Sequence, residues 1–208
     1  MSIPGIYCEF AKQWKPDMPT RGNFPGNYPL GAIVHFTAGR DGTGTITHGT
    51  KSGFAYWLIT KDGALYQTHD LSRWGYHAGK SSWPSLGSSV SSRLLGIEIS
   101  NGGSLAKDKE GKFKTWFGEE VPADHVRTVT KAQGYTDAGH YEKYTEAQEA
   151  TLIRLLLFLK KGHPDHFDFN LCLSHAEVSP GRKNDCSGAL SMTMPALRKL
   201  LADKWSRP

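Results

Sequence analysis

The stretch SHAEVSPGRKNDCSG, residues 174–188, is the segment from which the fold and the site of this chain can be worked out. It carries His175 and Asp185, with Lys183 two positions before the carboxylate. Histidine and carboxylate are ligand types that zinc prefers in proteins. The Pro180-Gly181 pair between them is a turn signal. It predicts that a strand ending at His175 folds back, so that Asp185 points at the same spot.

A third ligand must come from elsewhere, because a catalytic zinc ion usually takes three protein ligands and keeps the fourth position open. The best donor is His35 in GAIVHFTAG, residues 31–39, where a short apolar run ends at the histidine. This pattern predicts a buried strand that delivers one polar side chain at its end. Ligands on strands are held more precisely than ligands on loops.

Composition places the chain among soluble globular proteins. Of its 208 residues, 38% are hydrophobic and 22% are charged, which predicts a single domain over residues 1–208 with an adequate core. The net charge of +5 and the pI of about 9.0 indicate an ordinary basic surface, with attraction to an anionic envelope polymer as the alternative. No long Lys/Arg cluster and no apolar segment of membrane-spanning length appears, so we expect neither nucleic acid binding nor membrane insertion.

The N-terminal residues and the cysteines indicate the cellular compartment in which the chain is made. The first residues lack a charged start followed by an apolar run, which predicts synthesis in the cytoplasm without a signal peptide. The three cysteines, Cys8, Cys172 and Cys186, have no regular spacing and predict no disulfide framework, although a single bridge remains open.

The first half of the chain predicts mostly strands. Residues 1–30, rich in proline, predict an extended arm over the core with one short strand. Residues 31–37 predict the first buried strand, and residues 39–53 a loop in which His48 is solvated and not a ligand. Residues 54–68 predict a β-hairpin, because Asp62-Gly63 separates two β-prone runs. LLGIEIS, residues 94–100, predicts a central strand that is apolar except for Glu98.

The second half predicts helices around one more strand. Thr145 followed by Gln148 is a capping box that begins a helix over residues 145–161. A strand over residues 169–175 and a last helix near Pro195 follow. Residues 102–143 show little periodicity and predict a long loop inserted within the domain, near the cleft. Its candidate ligand contacts are Trp116, Phe117, His125 and Tyr135. The alternation of strands and helices predicts an α/β fold with a mixed central sheet flanked by helices.

Six segments together resemble the zinc-dependent N-acetylmuramoyl-L-alanine amidases, a family that includes a muropeptide-recycling amidase, the phage amidase lysozymes and the peptidoglycan recognition proteins. They are IVHFTAG (33–39), YWLITKDGALYQ (56–67), WGYHAG (74–79), LLGIEISN (94–101), YTEAQEATLIRLL (144–156) and SHAEVSPGRKNDCSG (174–188). They occur in the family's order over roughly residues 31–190. The resemblance implies a mixed sheet of about five or six strands, with one zinc ion in a groove at one end.

The resemblance also implies the chemistry. His35, His175 and Asp185 would bind the zinc ion, Glu98 would act as general base and Lys183 would stabilise the oxyanion. The reaction would be hydrolysis of the amide between N-acetylmuramic acid and L-alanine in peptidoglycan. A structural ion pair is the alternative role for Glu98, and a surface position is the alternative for Lys183.

Alternative interpretations remain open for the substrate contacts and for the third metal ligand. His77, Trp83 and Asn101 are expected to contact substrate, although His77 alternatively makes a hydrogen bond within a loop and Trp83 alternatively covers the core. Many relatives have histidine where this chain has Tyr56, which we do not interpret as a ligand. Asp185 rather than Cys186 is expected to bind the metal, because the family's ligand follows the lysine by two positions; Cys186 would then be buried behind it.

The biological role of the protein is a separate expectation. An envelope-degrading enzyme, a phage endolysin first, is favoured over a secretion effector or a cytoplasmic recycling amidase, and a monomer is expected. The other classes are a peptidoglycan-binding protein of the same fold without activity and a zinc peptidase that cleaves another amide. The chain has no HExxH motif, so a peptidase would have to use the same ligands.

Overall fold

A computed structural model describes residues 7–206 of the chain. The described strands are β1 (Lys12–Gln13), β2 (Gly22–Asn23), β3 (Gly31–Phe36), β4 (Trp57–Ile59), β5 (Leu65–Gln67), β6 (Arg73–Trp74), β7 (Ser82–Trp83), β8 (Gly87–Ser88), β9 (Leu94–Ile99), β10 (Ser104–Lys107), β11 (Phe113–Lys114), β12 (Glu120–Val121), β13 (Val126–Val129), β14 (Gly139–Glu142) and β15 (Cys172–Ser174). The α-helices are α1 (Gly44–Lys51), α2 (Glu146–Gly162), α3 (His175–Val178) and α4 (Met194–Trp205).

The central sheet has six strands in the order β1-β5-β4-β9-β3-β15. Strands β4, β9, β3 and β15 are parallel to one another, whereas β5 pairs antiparallel with β4. This confirms the mixed sheet and the α/β fold. In open sheets of this kind, ligands bind outside the carboxyl ends of the parallel strands. Those ends therefore mark where to look for a site.

The two faces of β3 and β9 have different surroundings because successive side chains point to opposite faces. On one face, side chains such as Val34 and Ile97 pack in the main core with Leu155 of α2 and Leu197 of α4. On the other face, Ile33 lies in a second apolar cluster, and His35 is the next side chain along that face. The sheet therefore separates the core beneath the helices from the face that carries His35.

Helix α2 begins as the sequence predicts. The Thr145 side chain accepts a hydrogen bond from the backbone N–H of Gln148, and the Gln148 side chain returns to the backbone N–H of Thr145. The helix ends at Gly162, and α4 begins at Met194, so both predicted helices are confirmed. The hairpin is also confirmed, with shorter strands, β4 and β5, than residues 54–68 predict.

Two local predictions were wrong. The predicted loop 39–53 contains helix α1, whose Ile46 is buried beside Met18 and Leu58. Glycine and threonine lower helix propensity, so burial of Ile46 and not the local sequence stabilises this helix. The predicted strand 169–175 is strand only at β15. His175 instead begins α3, because Ser174 caps this helix with a capping box.

The insertion at residues 102–143 is not a loop. It folds into a five-stranded antiparallel sheet in the order β12-β11-β10-β14-β13, here called the inserted sheet. Its strands have two to four residues, too few to show alternation in the sequence. Val129 and Tyr141 attach it to the main core.

The N-terminal arm contributes two short strands instead of one. Strand β1 adds to the edge of the central sheet beside β5, and β2 pairs with β6. Residues 1–6 of the predicted arm lie outside the described range. Cys8, Cys172 and Cys186 are all free and buried. Across residues 7–206 there is no helix whose length and apolar character would let it cross a membrane.

Candidate metal centre and active site

Three side chains converge at the carboxyl ends of the central strands. His35 Nδ1 lies 2.9 Å from His175 Nδ1 and 3.0 Å from Asp185 Oδ2, and the latter two atoms are 2.9 Å apart. All three residues are buried. His35 comes from β3, His175 from the first turn of α3, and Asp185 from the segment after it. The pairing of β15 with β3 brings these distant parts of the chain together.

Hydrogen bonds on the far side of each ring fix which nitrogen carries the proton. His77 Nε2 is 2.9 Å from the Leu94 carbonyl oxygen and must donate to it. The Nδ1 atom of neutral His77 is then an acceptor, and it lies 3.0 Å from His35 Nε2. His35 therefore donates through Nε2, which leaves a lone pair on its Nδ1.

A backbone carbonyl group also fixes the tautomer of His175. Its Nε2 atom is 3.0 Å from the carbonyl oxygen of Ala78 and donates to it, so Nδ1 again carries a lone pair. Arg182 supports this contact, because its Nη2 atom donates to the same carbonyl at 2.8 Å and to the Lys80 carbonyl at 2.8 Å. The guanidinium of Arg182 thus fixes the backbone that orients His175.

The resulting donor set fits a metal cation. Two imidazole lone pairs and a carboxylate oxygen lie within 3.0 Å of one another, and a shared cation would relieve the repulsion between them. Two histidines and one carboxylate are a ligand set that zinc accepts. Partners such as His77 and the Ala78 carbonyl, which hold the second ring nitrogen, are typical of metal-binding histidines.

The imidazole rings of His35 and His77 are kept neutral by their surroundings. Burial, together with nearby His175, lowers the pKa of His35 to about 4, although Asp185 opposes the shift. Burial also lowers the pKa of His77 well below its usual value. Neutral imidazoles keep the lone pairs that a metal needs.

Glu98 lies beside the three ligands. It is the register partner of His35 on the neighbouring strand β9, so both side chains point to the same face. Burial, followed by the charge of Asp185, raises the pKa of Glu98 to about 8, whereas Lys183 lowers it. Its Oε2 atom is buried and has no hydrogen-bond partner within residues 7–206. A cation near this carboxyl group would favour its ionised form.

A cavity of about 410 Å³ opens over this group. Six of the eight residues expected from the sequence line it: His35, His77, Glu98, His175, Lys183 and Asp185. Sequence reasoning missed several lining residues, among them Phe54, Tyr56, Ser104 and Arg182. Ser104 begins the inserted sheet, which therefore reaches the cavity itself.

Trp83 and Asn101 lie outside this lining. Trp83 packs against the apolar cluster that contains Ile33, the alternative considered for it. Asn101 is fully buried, and its side chain donates to the carbonyls of Glu142 and Lys143 and accepts from the N–H of Gly103. Its polar atoms are therefore used to attach the inserted sheet, which corrects the expectation that it faces substrate.

His77 and Cys186 also have defined places. The His77 ring lies against Gly96 of β9, where an added Cβ would be 2.5 Å from its Cγ atom, so a side chain at position 96 would displace the ring. His77 thus holds His35 as well as lining the cavity. The Cys186 thiol is fully buried and lies 3.9 Å from the sulfur of Met194, away from the ligands.

A family model described as N-acetylmuramoyl-L-alanine amidase matches residues 25–188. The chain belongs to this family. The resemblance of the six sequence segments is thereby confirmed, and this amidase carries its three candidate ligands and Glu98 inside the matched region. A search of curated proteins gives no match for this amidase.

Solved structures share the fold of this amidase. A selenomethionine derivative of AmpD has a TM-score of 0.61 and 19% identity, over 97% of this chain and 99% of that one. The Escherichia coli amidase AmiD, solved with an anhydro-muropeptide substrate, has a TM-score of 0.54 and 18% identity, over 84% of this chain and 56% of that one. The endolysin LysCS from Clostridium intestinale has a TM-score of 0.56 and 16% identity, over 95% of this chain and 99% of that one.

Proposed function

We propose that this protein is a zinc amidase that hydrolyses the amide between the lactyl group of N-acetylmuramic acid and L-alanine in bacterial peptidoglycan. The observation that carries the proposal is the convergence of three lone-pair donors, from His35, His175 and Asp185, next to Glu98 in one cavity. A zinc ion bound by these three residues would polarise the scissile carbonyl group and activate water.

The residues of the chain supply the remaining parts of the reaction. Glu98 would take a proton from the attacking water and deliver it to the leaving amine, a role for which a raised pKa is suitable. Lys183 lines the cavity, and its ammonium group would stabilise the negative charge that develops on the carbonyl oxygen. His77 and Arg182 would hold the histidine ligands in place.

For the biological setting we propose degradation of the cell envelope, with a phage endolysin first. The support is the net charge of +5, which favours anionic polymers, and the inserted sheet at the rim of the cavity. A recycling amidase would instead prefer small soluble anhydro-muropeptides. A comparison of rates on intact sacculi and on these fragments tests the setting, and a strong preference for the fragments would reverse our order.

The reaction is tested by product analysis. Purified peptidoglycan should release peptides with a free N-terminal L-alanine while the glycan strands remain intact. Glu98→Gln should keep its zinc ion, measured by elemental analysis, and lose about 100-fold or more in turnover, because general acid–base catalysis contributes that much. New reducing ends without new amino termini would indicate a glycosidase, and near-normal turnover of Glu98→Gln would give Glu98 a structural role.

A further inference from the structure

The inserted sheet places an exposed tryptophan next to the active-site cavity. The Trp116 side chain lies on the turn between β11 and β12, and the residue is 76% exposed, the largest value among the exposed large hydrophobic residues of the described chain. An indole combines a flat apolar ring with a polar N–H group, which makes tryptophan frequent at binding interfaces. Here it makes an edge-to-face contact with Phe117, at 5.5 Å between the ring centroids.

The indole is held in a fixed orientation. Its Nε1 atom donates to the carbonyl oxygen of Ala38 at 2.5 Å, and Ala38 lines the active-site cavity. The same turn is fixed to the loop after β3 by Arg40, whose Nε atom is 2.7 Å from Glu119 Oε1 and whose guanidinium lies 5.1 Å from the centroid of the Phe117 ring. The indole therefore stays largely exposed while its rotation is restricted, which lowers the entropy lost on binding.

The position of Trp116 indicates what it binds. Ala38 lines the cavity but Trp116 does not, so the indole lies at the rim, one residue outside the space for the scissile amide. In peptidoglycan the group that extends from that amide on one side is a chain of N-acetylated sugars. Sugar rings have an apolar face that packs on a flat aromatic ring, and an indole provides a large flat surface.

We infer that Trp116 stacks on a sugar of the glycan strand beyond the muramoyl residue that carries the scissile bond, so that the inserted sheet adds a saccharide subsite to the amidase site. This inference rests on the proposed function for its substrate. The subsite gives affinity for polymeric glycan and none for a substrate with one sugar.

The first test compares two substrates, insoluble sacculi at subsaturating concentration and a soluble N-acetylmuramoyl tripeptide with one sugar. Trp116→Ala should lose about tenfold in rate on sacculi, as truncation of a well-packed aromatic contact does, and keep its rate on the tripeptide. Trp116→Phe should keep most of the rate on sacculi, because it retains an aromatic face although it lacks the donor to Ala38. Trp205→Ala is the control, since Trp205 is 41% exposed on α4 at the helical face of the sheet.

Each other result overturns the inference. An equal loss of Trp116→Ala on both substrates means that the tryptophan only supports Ala38, and unchanged rates on both mean that it contacts no glycan. A loss in Trp116→Phe as large as in Trp116→Ala assigns the effect to the hydrogen bond with Ala38.

A second test does not depend on amide cleavage. A tetramer of N-acetylglucosamine, which has no scissile amide of this kind, is titrated while tryptophan fluorescence is recorded. We expect a saturable change that is lost in Trp116→Ala and kept in Glu98→Gln and Trp205→Ala. Loss of the signal in Trp116→Ala supports the subsite even if the proposed amidase reaction fails, whereas the same signal in wild type and Trp116→Ala overturns it.

Discussion

The central sheet and the inserted sheet differ in how deeply the residues of their strands are buried. Strands β3 and β9 have six residues each, and apart from Glu98 all of these residues are buried. In β10 and β12 of the inserted sheet, by contrast, Leu105 and Val121 are the single buried residues. Exposed ion pairs such as Lys112 with Glu120 lie along the inserted strands instead.

The difference in burial suits the two sheets to different roles. The three candidate metal ligands and Glu98 need a rigid, dry base, because apolar surroundings strengthen electrostatic interactions and keep histidine neutral. The inserted sheet reaches outward, and its apolar side chains attach it to the core at only a few points, such as Tyr141. We therefore expect changes in the central sheet to affect metal binding and folding, and changes in the inserted sheet to affect contacts with long substrates.

The largest effect should come from Asp185, the third candidate ligand, which lies in the segment after α3. Asp185→Ala removes the carboxylate oxygen that lies within 3.0 Å of both histidine Nδ1 atoms, so it should lose zinc and nearly all turnover. Its neighbour provides the control: Cys186→Ala changes a thiol buried in the core and should keep zinc and most activity. Elemental analysis and turnover measure both. If Cys186→Ala loses zinc while Asp185→Ala keeps it, the assignment of the ligand is off by one position.

Acid should destabilise the fold through His69, which is buried two residues after the end of β5. Burial lowers the pKa of this histidine to about 4, although Asp17 and Asp70 raise it and Arg73 lowers it slightly further. The unfolded chain, with an ordinary histidine pKa near 6.5, binds the proton more readily, so stability falls as the pH drops from about 6.5 to about 4. The loss from this one residue approaches about 3 kcal/mol at pH 4.

Urea unfolding at pH 6.5 and pH 4.5 measures this loss. His69→Gln should lose less of its free energy of unfolding between the two pH values than wild type, because its side chain does not titrate. The control is His140→Gln in the inserted sheet, where the histidine is only half-buried. Equal pH dependence in His69→Gln and wild type would contradict the assignment.

The smallest effect should come from the ion pair between the two regions. Arg40 and Glu119 are 2.7 Å apart, but both side chains are exposed, and such pairs contribute about 1 kcal/mol or less. Arg40→Ala should therefore leave the free energy of unfolding within that amount of wild type in a denaturant titration. A loss several times larger would mean that the inserted sheet is coupled to the core more strongly than its exposed contacts indicate.

The parts of the fold that could be predicted are those in which local sequence and burial agree. The apolar run that ends at His35, the lone Glu98 in a buried strand and the capping box of Thr145 each carry a physical signal within a few residues. The offset of Asp185 from Lys183 came from the family resemblance and not from such a signal.

The remainder depends on contacts that no local pattern encodes. Helix α1 depends on burial of Ile46, and the strands of the inserted sheet are too short to show a period. The contact of Arg182 with the Ala78 carbonyl and that of His77 with His35 join segments that are far apart in the chain. An arginine next to a lysine in a turn gives no sign that it positions a histidine.

The wide separation of the ligands along the chain has a consequence for the order of folding. His35 and Asp185 are 150 residues apart, and closing a loop of that length costs entropy before any contact repays it. Parallel pairing of β15 with β3 brings these residues together, so we expect the candidate ligands to meet only after β15 has docked. A newly synthesised chain would thus acquire its ion at the end of folding and not as a nucleus for it. Bound metal would then be a sign that β15 has paired with β3.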